Sequence, residues 1–445
     1  MGNSFNSLHF YGQSSSSFSV TYVILPFLLY LFLVKTVRSR RLRSTVKEFP
    51  YTSRDSFASM SLEDAFYIQQ KIGELEFPFI HQKALQFALF RTYGIPSISK
   101  LLVQTTEFTS GSTASKRYVD TEVLVAEFYG YHPQHSRVTE AIARMNYIHS
   151  VYRKAGKISD EDMLYTLSLF AMEPIRWIER HEWRSLEAFE KNAIAVFVKA
   201  LGDAMDIRYA GFLKGAEAGW KDGLHWLEEI DAWAQAYEQR AMVPDINNFK
   251  TAEHTMNILL WFVPGAAKGV GKKLVCTLLD ERLRQAMMYV DTRVSIVWST
   301  AITYGRDRYE KPPKFYCLLV SHILWIRAFI LRYLFLPRPN FFRKHHTSYK
   351  SAAGGNRYHL NIMETAPYYV KPTIWNRYGP FSWVFRMMGL PLPGDEGDKY
   401  YPQGFTVETV GPRSLHGKGS NYVEESKVNI IRMRESRCPF TGTVK

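Results

Sequence analysis

Residues 18–34 (FSVTYVILPFLLYLFLV) form an uninterrupted apolar run with no charge, and the serine-rich residues 1–17 before it carry no Lys or Arg. The run is at the short end of what a helix needs to cross a bilayer. Lys35, Arg38, Arg40, Arg41 and Arg43 follow directly. A cleavable signal peptide expects its cations before the apolar run and a small-residue cleavage site after it. This pattern has neither, so it predicts a retained single-pass anchor. The basic side then lies in the cytosol, with the N-terminus across the membrane. Pro26 can kink such a helix without forbidding it.

After a basic linker (35–50) the pattern turns helical. Ser61-Leu-Glu-Asp64 resembles a capping box and opens a helix through Ile72. Residues 75–102 are apolar, with a turn at Gly94-Ile-Pro96 dividing two helices. Residues 109–115 (TSGSTAS) read as a loop. Residues 116–128 (KRYVDTEVLVAEF) read as a helix with Arg117, Thr121, Leu124 and Phe128 on one face. In residues 138–153 (VTEAIARMNYIHSVYR), Val138, Ile142, Met145, His149 and Tyr152 share a stripe. Gly156 ends that segment, and Ser159 caps the next helix. Residues 186–201, 224–239, 252–263 and 273–289 continue the helical period, with a Gly-rich connection at 211–223.

No series of alternating strand signals appears before the tail. The expectation is therefore an all-α fold, one large helical domain over residues 51–336. Residues 315–336 form a second apolar run, interrupted by His322, Arg327 and Arg332. A central Arg costs roughly 2.5 to 3.5 kcal/mol in a span. The pattern thus predicts a core helix or one lying in the membrane surface. Residues 337–445 are rich in Pro, Gly and aromatics and read as an irregular extension wrapping the body, with 442–445 disordered.

Composition narrows the class. The 445 residues are 46% hydrophobic and 15% aromatic, enough for a large core. A net charge of +14 suits nucleic acid or an anionic membrane surface. The cations gather behind the apolar run and no nucleic-acid-binding motif is present, so membrane lipid is the expected partner and nucleic acid is not. Three cysteines make neither a disulfide framework nor a CxxC metal site, which suits a reducing compartment.

The candidate chemistry lies on two helices. His149 interrupts an apolar stripe, and Arg153 stands one turn beyond it on the same side. A haem needs such a pair, an axial nitrogen and a cation. A hydrogen-bonded core histidine fits the same spacing. Arg117 and Thr121 offer a cation and a hydroxyl one turn apart. They also fit an Arg snorkelling past the core and a Thr bonded to its own helix. Other motifs fail. In residues 264–273 (PGAAKGVGKK), Ala266 and Lys273 occupy positions that a phosphate loop reserves for Gly and for Ser or Thr. His181 to Arg184 lacks the second His of a zincin. Cys438-Pro-Phe lacks the Gly-rich bulge of a cytochrome P450 thiolate loop. The His345-His346 pair is not a set of desaturase histidine boxes.

Several long collinear segments carry a resemblance: EFPFIHQKALQFALFRTYGIPSISKLL, KRYVDTEVLVAEF, YIHSVYRKAGKISDEDMLYTLSLFAMEPIRWIE, KDGLHWLEEIDAW and PYYVKPTIWNRYGP. With them the chain resembles the MpaB-type fungal ER-bound oxygenases and, more widely, the bacterial rubber oxygenases (latex clearing proteins), which are helical and hold haem b. The resemblance implies an oxygenase in the endoplasmic reticulum membrane, its catalytic domain facing the cytosol. It would use dioxygen to cleave a carbon–carbon double bond in the isoprenoid chain of a lipophilic, prenylated metabolite, as in fungal meroterpenoid biosynthesis. In rubber oxygenases the haem ligand stands in Arg-x-x-His-x-x-x-Arg. His149 and Arg153 match the second half, while Asn146 replaces the first Arg and Arg144 lies nearby. Arg117 and Thr121 match the ends of their distal Arg-x-x-Lys-Thr motif, with Asp120 where the Lys would be. By this resemblance His149 is the iron ligand. Arg117 and Arg153 are candidates for propionate binding or for polarising dioxygen, and Thr121 for donating a hydrogen bond to it. A relative with another iron centre, or a prenyl-lipid-binding membrane protein without the chemistry, is the alternative.

Overall fold

A computed structural model describes residues 16–105, 111–287, 312–343, 345–349, 351, 356–436 and 440. Cys438, residues 442–445 and most of the polar N-terminal stretch lie outside them. The all-α expectation holds. Among the described residues the only β pairing is three isolated bridges, one of them Tyr358 with Phe405.

The segment expected to be the anchor is a helix, Ser16–Arg38, with Pro26 inside it. At 1.5 Å per residue it is about 35 Å long, enough to cross a bilayer. Val23, Leu29 and Phe32 are exposed along it, while Val34 near its end is buried. Leaving large apolar side chains in water forgoes roughly 1.5–3 kcal/mol each. The helix then joins the body through cations and a phenol. Tyr30 donates to the Leu334 carbonyl at 2.7 Å, Arg38 donates to the Phe335 carbonyl, and Arg41 pairs with Glu76 at 2.9 Å.

The second apolar run forms the helix Lys314–Tyr333, and it is not a core helix. Phe315 and Trp325 stay mostly exposed, and no residue of the helix is buried. Its cations turn to the body: Arg327 meets Glu182 at 2.9 Å and sits over the Phe79 ring. The charges that make a second span costly thus hold the helix against the protein, with its apolar face outward. By length and composition alone, both this helix and the anchor could cross a membrane.

The body is built on capped amphipathic helices. Ser61 accepts from the Asp64 amide and starts Leu62–Gln70, which continues as a π-helical turn, Lys71–Glu76, rather than ending at Ile72. Pro78–Thr92 and Pro96–Gln104 are divided by the expected turn. A Cβ on Gly94 would fall 2.8 Å from a Leu283 methyl, so any larger residue there would have to push that side chain aside. The stretch read as a loop at 109–115 is helical from Gly111, because Gly111–Gly130 is one helix. Next come Ser136–Lys154, Asp160–His181 and Ala188–Ala204. Ser159 accepts from the Asp162 amide at 3.0 Å. Pro78–Thr92 packs along Asp160–His181, and Gly111–Gly130 along Ser136–Lys154.

The C-terminal extension is less irregular than its composition suggests. Among the described residues it includes the helix Ser420–Ser436, which lies on Ser136–Lys154. Arg144, buried, donates to the carbonyls of Val410, Leu415 and Lys418 at 2.9–3.1 Å and ties the extension down. Arg137 forms a buried pair with Glu127 and lies between the rings of Tyr131 and Tyr358.

Candidate active site

A cavity of about 1500 Å³, its mouth included, opens between the helices Pro78–Thr92, Gly111–Gly130, Ser136–Lys154 and Asp160–His181. Its wall is mainly apolar, with Leu89, Leu102, Val125 and Phe170 among the residues that line it. The two predicted helix faces meet here. Arg117, Thr121, Leu124 and Phe128 come from one helix, and Met145, His149 and Tyr152 from the other. Val138 and Ile142, lower on the same stripe, are buried in the core.

His149 is the chemical centre of this wall. Its Nδ1 is buried and has no hydrogen-bond partner among the described residues. Burial first, then the charges of Arg117 and Arg153, lower the imidazole pKa to about 4. The ring is therefore neutral at physiological pH, the form in which histidine binds a metal. A core histidine kept for structure would have satisfied its nitrogen. An orphaned imidazole facing a large apolar cavity fits an axial ligand.

Besides Lys157, Arg117 brings a cation to the cavity wall. Its Nη1 donates to the Thr121 hydroxyl at 2.7 Å, and no carboxylate pairs with it among the described residues. Such a group is suited to an anion brought by a ligand. Thr121 also donates to the carbonyl of Arg117 at 3.1 Å, so its one proton is engaged within its own helix. Its part is to hold Arg117 in place, and the geometry does not free it to donate to a bound oxygen.

Arg153 is not brought to the cavity wall. Its guanidinium turns to Asp160 at 2.8 Å and to the Asp206 carbonyl at 3.2 Å. It acts on His149 through its charge alone. The neighbouring motif positions are also engaged elsewhere. Asn146 donates to the Ala204 carbonyl, and Arg144 binds the extension. Asp120 points away from the cavity. It accepts from Lys116 at 2.7 Å and from Tyr369 at 2.8 Å, fully buried. Among the described residues no three His, Cys, Asp or Glu side chains gather as a metal site.

Residues that periodicity did not single out lie next to this cavity. Tyr118 lines it and also a second one of about 770 Å³, whose wall includes His81, Glu122, His346 and Glu364. Tyr118 donates to Glu364 at 3.1 Å, and Gln82 and Gln86 donate to the same carboxylate. Glu364 comes from the extension and Gln82 from a helix far earlier in the chain. No local spacing connects them.

No family model matches the chain. Among characterised proteins it is similar to the ER-bound oxygenase mpaB' of Penicillium brevicompactum, 40% identical over 419 residues, 94% of each chain. It is also similar to the ER-bound oxygenase mpaB of the same species, 38% identical over 386 residues, 87% of this chain and 86% of the relative. The ER-bound oxygenase mpaB of Penicillium roqueforti is 45% identical over 262 residues, 59% of this chain and 88% of the relative. With likeness of this extent running through the cavity helices, the chain belongs to the mpaB family of ER-bound oxygenases.

Proposed function

We propose that this protein is a haem-b-dependent oxygenase of the endoplasmic reticulum membrane that uses dioxygen to cleave a double bond in the prenyl chain of a lipophilic metabolite. The observation that carries this reading is the unpartnered, neutral imidazole of His149 on the wall of a large apolar cavity, with the unneutralised Arg117 beside it. His149 would hold the iron, and Arg117, braced by Thr121, would meet a propionate carboxylate. Haem, when bound, supplies the activation of dioxygen. The apolar wall keeps water away and holds an isoprenoid chain extended along it.

The anchor Ser16–Arg38, with cations behind its apolar run, supports a cytosolic catalytic domain held by a single span. The Arg327–Glu182 pair supports a surface position for the second apolar helix. A prenylated substrate partitions into lipid, where a tethered enzyme meets it. The test is the optical spectrum of detergent-purified protein with a pyridine haemochrome assay. Wild type is expected to show a Soret band near one haem per chain, and His149→Ala to lose it while staying folded. An active wild type without haem, or a His149→Ala protein with full haem content, refutes the reading. A C-terminal tag protected from protease in intact microsomes refutes the topology.

A further inference from the structure

The second cavity adjoins the first and shares Leu89, Tyr118, Val125 and Phe170 with it, yet more polar side chains gather on its wall. Three buried polar atoms on residues that line it have no hydrogen-bond partner among the described residues: Gln69 Oε1, Glu122 Oε1 and the Tyr129 hydroxyl. Gln69 is almost fully buried, at 3% exposure. One such atom forgoes roughly 1–3 kcal/mol, and native proteins rarely leave several together unless something else meets them. Glu364 on the same wall is already satisfied by Gln82, Gln86 and Tyr118. The unmet capacity therefore belongs to Gln69, Glu122 and Tyr129.

Glu74 on the chamber wall is paired with Arg343, and the other groups add little charge. Burial, then the proximity of Glu364, pushes the Glu122 carboxyl well above the usual carboxylate range, which favours its protonated form. His81 and His346 are both lowered to about 4 by burial and are neutral. The ammonium of Lys83 is occupied by Gln86 Oε1 at 2.8 Å. No free cation among these groups would welcome a carboxylate or phosphate. What remains is a set of neutral donors and acceptors, suited to a hydroxyl or phenol. The π-helical turn Lys71–Glu76 shapes this wall. His81 packs so closely on it that a Cβ on Gly73 would lie 2.9 Å from the ring. Such turns are frequent at functional sites.

We propose that the second chamber binds the hydroxyl-bearing head of an amphiphilic substrate whose apolar tail lies in the His149 cavity, with Gln69, Glu122 and Tyr129 making the polar contacts. This rests on the prenyl-chain reading for the tail, and it adds which end of the substrate goes where. The test uses full-length protein in nanodiscs and two radiolabelled probes, farnesol and the hydrocarbon farnesene, with affinities corrected for partition into lipid. Wild type is expected to bind farnesol about tenfold more tightly than farnesene. Glu122→Leu and Tyr129→Phe should each bring the two towards parity while leaving farnesene affinity unchanged. Should Glu122→Leu fail to fold, Tyr129→Phe and Gln69→Leu carry the comparison. Equal affinity for both probes in wild type, or a preference that survives these substitutions, overturns the head assignment alone. No binding of farnesene to wild type overturns the tail reading and the proposal with it.

Discussion

Arg117 and Thr121, one helical turn apart on the cavity wall, are locked together. Arg117 donates to the Thr121 hydroxyl at 2.7 Å while that hydroxyl donates back to the Arg117 carbonyl at 3.1 Å. Thr121 is thereby a positioning residue for a wall cation that has no carboxylate partner among the described residues. Thr121→Val keeps the shape and removes both bonds. A neutral hydrogen bond is worth about 0.5–1.5 kcal/mol and one to a charged group about 1.5–3 kcal/mol. Haem retention during gel filtration should fall several-fold in Thr121→Val, with little change in melting temperature. Thr121→Ser should restore it. A Thr121→Val protein that holds haem like wild type would separate Arg117 from cofactor binding.

Asp120 sits between those two residues in sequence but faces the opposite side, bonded to Lys116 and Tyr369. Rebuilding the rubber-oxygenase pattern with Asp120→Lys should therefore not create a distal iron ligand. It would place a second ammonium beside Lys116, fully buried. Breaking a buried pair costs about 3–5 kcal/mol, so the expected result is a large loss of thermal stability. The haem spectrum of any folded fraction should be unchanged. A new six-coordinate low-spin spectrum would show that this helix can rotate its Lys into the cavity.

Arg144 should prove structural rather than a substitute for the missing motif arginine. Arg144→Ala leaves three carbonyls of the extension without their donor, at Val410, Leu415 and Lys418. Limited proteolysis should then cut near residues 410–418 at protease levels that spare wild type. Haem content per folded chain should stay close to normal.

These contrasts show what the sequence carried and where it stopped. The helical period placed Arg117, Thr121, Leu124 and Phe128 on one wall and Met145, His149 and Tyr152 on the other, because both faces line one cavity. The same period could not say which cations were already paired. Arg153 shares the side of His149, but Asp160 at the next helix start takes its guanidinium. The loop read at 109–115 failed because Gly, Ser and Thr are weak helix formers that tertiary packing overrode. The apolar run at 315–336 looked able to fill a core. Only the neighbouring Glu182 reveals which face turns inward. The second chamber was illegible because Glu122 and Glu364 meet across long sequence separation.

The last prediction concerns acid. His81 is 6% exposed and packed on Gly73, and burial, with a smaller contribution from His346, lowers its pKa to about 4. An unfolded histidine titrates near 6.5. Between those values the unfolded chain holds a proton on His81 that the folded chain does not. Stability from this group is therefore complete above about 6.5 and is lost as pH falls towards about 4, by up to about 1.4 kcal/mol per pH unit. Buried carboxyls in the same chamber oppose it, since burial raises the pKa of both Glu122 and Glu364. The total pH profile therefore does not isolate His81. The difference between wild type and His81→Gln does, because the carboxyls remain in both. Urea unfolding of detergent-solubilised protein at a series of pH values should show wild type losing ground to His81→Gln steadily from about 6.5 down to about 4. A difference flat in pH would mean that His81 takes up its proton without unfolding, and that the chamber opens to water in the folded state.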